Sequence, residues 1–281
     1  MAGFDLAETA AADAAVALGE DRIDADRLAG LGDRKANVQA VVIVRQQCVV
    51  AGCAWFDACV QQAAAQLDLP AARINWLVRE GDQADSGSRI VAVNAAAGVL
   101  LAAERSALNF LGLLAAVATK ARMISQRAAP VPVYDTRKTL PGLRAAQKHA
   151  VQVGGMKANR ADLAEAALIK ENHIKVAGSI GAAYELAQTR CPADKIQIEV
   201  ESETQLAEAL QLGAKRIMLD NFSPQQVKKA VEQVAGKAEL EASGSIDANN
   251  IAAYAATGID RISTSAATKE AGCIDLSMQI I

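Results

Sequence analysis

The chain has 281 residues, a formal net charge of −3, 52% hydrophobic residues and 3% aromatic ones. That length accommodates one large or two modest domains with a sizeable core. The slightly acidic balance argues against the broad basic face that nucleic acid needs, and no apolar run is free of charge for a membrane span.

Asp5 and Glu8 stand where a secretion signal would carry basic residues, so none is expected. Five cysteines (Cys48, Cys53, Cys59, Cys191 and Cys273) form no C-x-x-C pair and accompany two histidines, which speaks against structural zinc. Reduced thiols in a cytoplasmic protein fit this usage.

Residues 5–18 carry apolar positions at helical spacing and predict an amphipathic helix, followed by a charged loop over 20–26. Strands are expected over 38–50, 73–78 and 89–93, with a helix over 55–67 and a glycine-punctuated turn region over 80–87. This α+β unit carries no chemistry of its own; scaffold or subunit contact is its expected role, with Cys48 and Cys53 as buried small residues. A long helix is expected over 100–127.

From residue 131 strands and helices alternate, the pattern of βα units on a parallel sheet. The strands are expected over 131–135, 166–170, 196–200, 216–219, 238–242 and 259–263. The helices are expected over 141–153, 179–190, 203–212, 224–234 and 247–256. Pro141 suits a first helical turn and Gly154-Gly155 a left-handed stop. No dinucleotide fingerprint follows the first strand. A βα barrel fits better, because polar residues recur at the carboxyl ends of the strands: Arg137 and Lys138, Lys170, Glu199 and Glu201, Asp220 and Asn221, Ser243, Ser263 and Thr264.

Arg137, Lys138, Arg160 and Lys170 at consecutive strand ends, with Arg144, Lys148, Lys157 and Lys175 nearby in sequence, point to a small anionic ligand. Taken singly, each is better explained as a loop-solvating cation; Arg137, Lys138, Arg160 and Lys170 together favour the site. Residues 196–201 alternate strictly, placing Gln197, Glu199 and Glu201 on one face, and carboxylates facing a barrel interior are costly unless they meet a cation or metal. Asp220 ends the next strand; capping of the helix near Ser223 competes as its role. Two small-residue loops, around Ser243, Gly244 and Ser245 and around Thr264, Ser265 and Ala266, offer backbone amides at the last strand ends, where barrels bind phosphate.

The run from Asp135 to Arg144, Gly154-Gly155, the run from Leu168 to Ile174, Glu104-Arg105 with Asn109, and the run from Ile274 to Met278 together resemble the quinolinate phosphoribosyltransferase family. The resemblance is specific from Arg105 to Met278 and loose before it. It implies an α/β protein: an incomplete βα barrel over 105–269 and an α+β N-terminal domain (an open sandwich) over 1–104, to which 270–281 returns. It implies transfer of phosphoribosyl from phosphoribosyl pyrophosphate to quinolinate with decarboxylation, giving nicotinate mononucleotide, CO2 and pyrophosphate.

The family's substrate-binding positions fall on Arg105, Thr136, Arg137, Lys138, Asn159, Arg160, Lys170, Glu199 and Asp220. Lys138, Glu199 and Asp220 carry the catalytic roles, and Glu199 and Asp220 are the candidate ligands of a Mg2+ cofactor. A homodimer is implied, with Arg105 reaching the neighbouring subunit's site; neither a nucleic acid nor a membrane is an expected partner.

The chain departs from the family in four places. Asn159 replaces a histidine, Met156-Lys157 alter the glycine-rich run before it, Ser265 often replaces a glycine, and the 20–26 loop lacks the usual Asp-x-Thr. Loss of one charge-assisted bond at Asn159 costs on the order of 1–3 kcal/mol of ligand binding. The alternatives are therefore a related enzyme acting on another carboxylated heterocycle, or a weakly active phosphate-ligand binding barrel.

Overall fold

The structure, a computed structural model, describes residues 5–28 and 32–281. Helix α1 (Leu6–Asp21) begins where Asp5 Oδ1 accepts the Ala7 and Glu8 amides, and it buries Ala10, Ala14 and Leu18 at helical spacing. The charged loop after it holds a single 3-10 turn, Ile23–Ala25. The strand expected over 38–50 is two strands, β1 (Asn37–Val44) and β2 (Cys48–Val49). Its pairing breaks because Val44 exchanges backbone hydrogen bonds with Gly87 and Ser88, while the Arg45 amide turns to Asp275 O. Then follow α2 (Cys53–Gln66), β3 (Arg73–Trp76), β4 (Gln83–Ala84), β5 (Arg89–Ala96) and α3 (Ala97–Ala128). By length and composition α3 could cross a bilayer, yet 67% of its most apolar window is buried within the protein, as in a core helix.

After α3 come β6 (Val133–Tyr134), α4 (Arg144–Val153), β7 (Ala167–Ile169), α5 (Glu171–Ala177), α6 (Ile180–Gln188), β8 (Ile196–Val200), α7 (Glu203–Gln211), β9 (Arg216–Asp220), α8 (Pro224–Val234), β10 (Glu239–Ser243), α9 (Ile251–Ala255), β11 (Arg261–Ser263) and α10 (Ala266–Lys269). Strand β12 (Leu276–Ile280) closes the chain. Two expectations fail here. Pro141 does not open α4: Pro141-Gly142 form a turn, with Gly142 at φ 81° and the Leu143 amide on Leu140 O, so the helix starts at Arg144. Helix α5 was not foreseen, because its seven residues bury none of their side chains and leave no apolar periodicity to detect.

The chain forms two compact units. The first comprises Met1–Arg122, Leu140–Gly155 and Glu270–Ile281, which differs from a division at 104/105 because α3 as far as Arg122 and all of α4 belong to it. Its sheet is antiparallel in the order β12-β1-β5-β3, with Val42 opposite Met278 and Val91. Trp55 and Phe56 on α2 are fully buried. Helix α4 is tied to this unit by His149 Nε2, 3.0 Å from Glu80 Oε2, and by Gly154, where an added Cβ would lie 2.4 Å from Ala118 O.

The second unit, Met123–Thr139 and Met156–Lys269, holds a six-stranded parallel sheet in the order β6-β11-β10-β9-β8-β7. The first strand thus pairs with the last, as in a barrel, and Lys157 adds a parallel bridge beside Tyr134. No pairing joins Lys157 to β7 among the described residues, so the ring stays open there. Hydrophobic strand residues such as Ile198, Ile217, Leu219, Ala242 and Ile262 are buried, and all five residues of β8 are.

Candidate active site at the barrel mouth

The carboxyl ends of the parallel strands carry a cluster of polar side chains of the second unit. Lys170 follows β7 directly, and its Nζ lies 2.6 Å from Glu199 Oε2. The Glu199 side chain is 6% exposed and that of Lys170 41%. Burial raises the Glu199 carboxyl above its ordinary value; the Lys170 bond and charge oppose that rise, while Asp220 and Glu171 add to it. Glu199 therefore senses both Lys170 from one neighbouring strand and Asp220 from the other.

Asp220 ends β9. Ser223, with Gln226, caps α8, so the helix-cap reading of Asp220 falls away. Asp220 Oδ2 instead accepts from Asn221 Nδ2 at 2.8 Å. Asn221 sits at φ 58° with its amide on Ser243 O, which ties the ends of β9 and β10 together. Gly244, at φ 95°, is required by this contact: a Cβ there would be 2.4 Å from Asn221 Oδ1 and 2.6 Å from its amide nitrogen. Glu201, expected beside Glu199 on the inward face, lies one residue past β8 and is exposed.

Across the open edge, the fully buried Asp135 accepts the Asn159 amide at 2.7 Å, and Asn159 Oδ1 in turn accepts the Arg160 amide at 3.0 Å. Arg160 is half-buried, with Nη1 donating to Ala166 O at 3.1 Å. Burial and the Arg137 charge lower the Arg160 guanidinium from its ordinary value, and Glu199 and Glu241 counter this. Arg160 thus senses both Arg137 and Glu199, and Glu199 senses Asp220. The Arg137 Nε atom is buried and donates to no group among the described residues. Thr136 Oγ1 accepts the Lys138 amide at 3.1 Å; the Lys138 side chain is exposed, and its carbonyl accepts from Thr268 Oγ1 at 2.8 Å.

The two small-residue loops are joined to each other. Thr264 Oγ1 donates to Ile246 O and accepts the Ala266 amide at 3.0 Å, so that hydroxyl and that amide are engaged inside the protein. Ser243 is half-buried and Ser245 exposed at φ 50°, with Ser245 O accepting from Asn250 Nδ2. Ser265 is half-buried. Three expected residues belong to the first unit. Arg105 is exposed on α3, and Arg144 and Lys148 lie on α4, Lys148 being 1% exposed.

Below the mouth lies a polar layer that the strand-end pattern missed: Gln197, Glu241, Arg261 and Tyr134. Gln197 on the alternating strand hinted at it, but its partners come from other strands and no spacing along the chain connects them. No group of three or more His, Cys, Asp or Glu side chains stands ready to hold a metal ion among the described residues. Mg2+ commonly takes one or two carboxylates and completes its shell with water and substrate phosphates. Glu199 and Asp220, electrostatically coupled at one mouth, fit that mode and not a dedicated protein cage.

Comparison with known proteins agrees with this geometry. A family profile described as "Quinolinate phosphoribosyl transferase, C-terminal domain" matches residues 117–279, and one for the N-terminal domain matches residues 21–114. The chain is 37% identical over 213 residues to the nicotinate-nucleotide pyrophosphorylase [carboxylating] of Mycobacterium leprae, covering 74% of this chain and 75% of that one. It is 33% identical over 258 residues to a probable enzyme of that name from Methanothermobacter thermautotrophicus, covering 88% and 90%. The structure of the nicotinate-nucleotide pyrophosphorylase from Francisella tularensis superposes with a TM-score of 0.89 at 35% identity, covering 98% of this chain and 97% of that one.

Proposed function

The chain belongs to the quinolinate phosphoribosyltransferase family, and on that premise we propose how its barrel mouth carries the reaction. The enzyme transfers phosphoribosyl from phosphoribosyl pyrophosphate to quinolinate with decarboxylation, giving nicotinate mononucleotide, CO2 and pyrophosphate in NAD biosynthesis. The observation that carries the assignment of residues is the buried Glu199, paired with Lys170 and in electrostatic range of Asp220, with Arg160 in range of both Glu199 and Arg137.

Quinolinate is a dianion, and Arg137, Arg160 and Lys170 supply its countercharges. The buried, unpartnered Arg137 Nε is a donor suited to a carboxylate. Two fixed cations set the ring plane and aim the pyridine nitrogen at the anomeric carbon. As the bond from that carbon to pyrophosphate breaks, negative charge grows on the leaving oxygens, where the exposed Lys138 reaches out from its anchored loop. The sugar becomes oxocarbenium-like; Glu199 and Asp220 stabilise it and accept from ribose hydroxyls. The ring nitrogen then forms the new bond and becomes cationic. Loss of the adjacent carboxylate as CO2 leaves its electron pair on the ring carbon, where that cation stabilises it until a proton arrives. No nucleophilic side chain is needed.

Mg2+, held by Glu199 or Asp220 together with the substrate's phosphates, would add charge stabilisation for the departing pyrophosphate. Ser243, Gly244, Ser245 and Ser265 form the rim offered to the 5-phosphate; Thr264 and Ala266 shape that rim through their mutual hydrogen bond. Asn159 holds the Arg160 backbone and so orients the substrate-binding arginine. The active form is a homodimer in which Arg105 serves the neighbouring subunit's site, a role in keeping with its exposure on α3. Five free cysteines agree with a cytoplasmic setting, although relatives from tobacco are named mitochondrial and one from rice chloroplastic.

One observation favours a second reading. The Asn159 side chain is neutral and turned to backbone, which admits a different carboxylated heterocycle. Pyrophosphate release separates the two. Quinolinate is expected to support turnover with phosphoribosyl pyrophosphate and nicotinate is not. Absence of product with quinolinate would refute the assignment.

A further inference from the structure

One cation of the second unit is still without a task. Lys157 pairs with β6 as a single bridge residue in parallel register with Tyr134. Its amide donates to Val133 O at 2.7 Å and its carbonyl accepts the Asp135 amide at 3.0 Å, so its backbone is fixed on both sides. Two residues on, Asp135 also holds the Asn159 amide. On the opposite flank of β6, Tyr134 is in register with Ser263 of β11. Residues paired in register share a face of the sheet, so Lys157, Tyr134 and Ser263 stand in one row.

That face carries the polar layer beneath the mouth. Arg261, two residues before Ser263, lies 3.5 Å from the centre of the Tyr134 ring and is ion-paired with Glu241 at 2.8 Å. Lys157 Nζ lies 5.9 Å from the centre of the same ring, and Lys157 is exposed where Arg261 is buried. Unlike Arg261, Lys157 has no carboxylate partner among the described residues. A ring at that distance orients an ammonium and does not neutralise it. Ser263 is 1% exposed, and its Oγ meets no hydrogen-bonding group among the described residues, a costly state for a buried hydroxyl. Neighbouring strands lie about 4.8 Å apart, so the Lys157 and Ser263 backbones flank Tyr134 at about 10 Å. The Lys157 side chain, extended over the ring, closes much of that gap.

One charged and one neutral donor, both uncommitted, suit a carboxylate. A phosphate would draw on backbone amides as well, and the two beside Ser263 are taken: Thr264 donates to Tyr134 O and Ala266 to Thr264 Oγ1. Lys170 is engaged by Glu199, and Asn159 brings no charge. We propose that Lys157 and Ser263, on either side of Tyr134, hold a carboxylate of the heterocyclic substrate, Lys157 supplying the charge that Asn159 does not. The inference rests on the reading of this mouth as the quinolinate site. Without Lys157 capture of the dicarboxylate weakens, and capture of phosphoribosyl pyrophosphate does not.

Calorimetric titration of the full-length enzyme with quinolinate, and separately with phosphoribosyl pyrophosphate, reads the two ligands apart. Lys157→Met keeps the length of the side chain and is expected to raise the quinolinate Kd about tenfold, and Ser263→Ala about threefold, with the Kd for phosphoribosyl pyrophosphate unchanged. Lys157→Arg keeps the charge and is expected to stay within about twofold of the parent. Lys157 is exposed and the Ser263 hydroxyl unpaired, so none of these variants is expected to lower Tm. An unchanged quinolinate Kd in Lys157→Met or in Ser263→Ala overturns the proposal. So does an equal rise for phosphoribosyl pyrophosphate, which marks a phosphate site, or a Lys157→Arg variant as weak as Lys157→Met. Arg137→Gln tests the underlying reading. A raised quinolinate Kd there beside an unchanged one in Lys157→Met refutes the inference alone; an unchanged Kd in both refutes the reading of the mouth as well.

Discussion

Lys170→Met removes the cation that faces Glu199 and leaves that carboxylate, 6% exposed, without a counterion. The cost lies between two limits. Exposed pairs are worth about 0.2–1 kcal/mol, whereas breaking a buried pair costs about 3–5 kcal/mol. Because the Lys170 side chain is 41% exposed, water screens part of the interaction, and the expected loss is about 1–3 kcal/mol. At about 2–4 °C per kcal/mol for a chain of this size, Tm falls by about 2–12 °C.

The pH dependence identifies the cause. The Glu199 carboxyl is already raised in the folded protein, so its penalty is absent below the ordinary carboxylate value and full above the raised one. Lys170→Met widens that window upward. The Tm deficit is therefore expected to be larger at about pH 8 than at about pH 5. Thermal unfolding at both pH values checks this, with the Lys170→Met/Glu199→Gln double variant as control. The double variant is expected to regain stability, since the unpaired charge is gone. A Tm within error of the parent, or a deficit equal at both pH values, would refute the reasoning.

Further outcomes follow from the same geometry. Lys138→Ala and Glu199→Ala are each expected to lose about 10²–10³-fold in kcat while staying folded, measured by pyrophosphate release. Lys138 is exposed, and a Lys170 freed of Glu199 can turn to water; a normal rate removes the residue from the mechanism. Glu80→Gln is expected to destabilise by about 1–3 kcal/mol at neutral pH, because Glu80 Oε1 accepts the Gly52 and Cys53 amides while Oε2 meets His149. Burial works to raise the Glu80 carboxyl, but His149 and those amides lower it overall. Its contribution is thus present above the ordinary value and lost as pH falls through the lowered one, so parent and variant melts should converge in acid. Gly244→Ala is expected to lose more than about 1 kcal/mol, since it combines φ 95° with contact on Asn221; an unchanged denaturation midpoint would contradict the tightness of that approach.

Much of the second unit was legible because its strands are apolar and punctuated. The expected strands over 196–200 and 216–219 coincide with β8 and β9 to within one residue. Polar strand ends then mark the mouth without any knowledge of pairing. What stayed hidden depends on partners remote in sequence. Glu241 sits in a strand that otherwise introduces a small-residue loop, and only the register of β10 with β9 and β11 places it beside Arg261. Arg261 itself reads as a lone charge inside the expected strand over 259–263, until the Tyr134 ring lies 3.5 Å beneath it. Glu201 misled for a simpler reason: alternation along 196–201 holds only while the strand lasts, and β8 ends at Val200. The Thr264 amide, which the loop pattern offers to phosphate, is taken up by Tyr134 O, a partner too remote in sequence for that pattern to reveal.

Crystals of the protein soaked with quinolinate test the central claim most directly. The account predicts the ligand's two carboxylates against Arg137, Arg160 and Lys170, with its ring nitrogen facing the side of Glu199 and Asp220. Quinolinate bound elsewhere, with those side chains unmoved and unengaged, would contradict it.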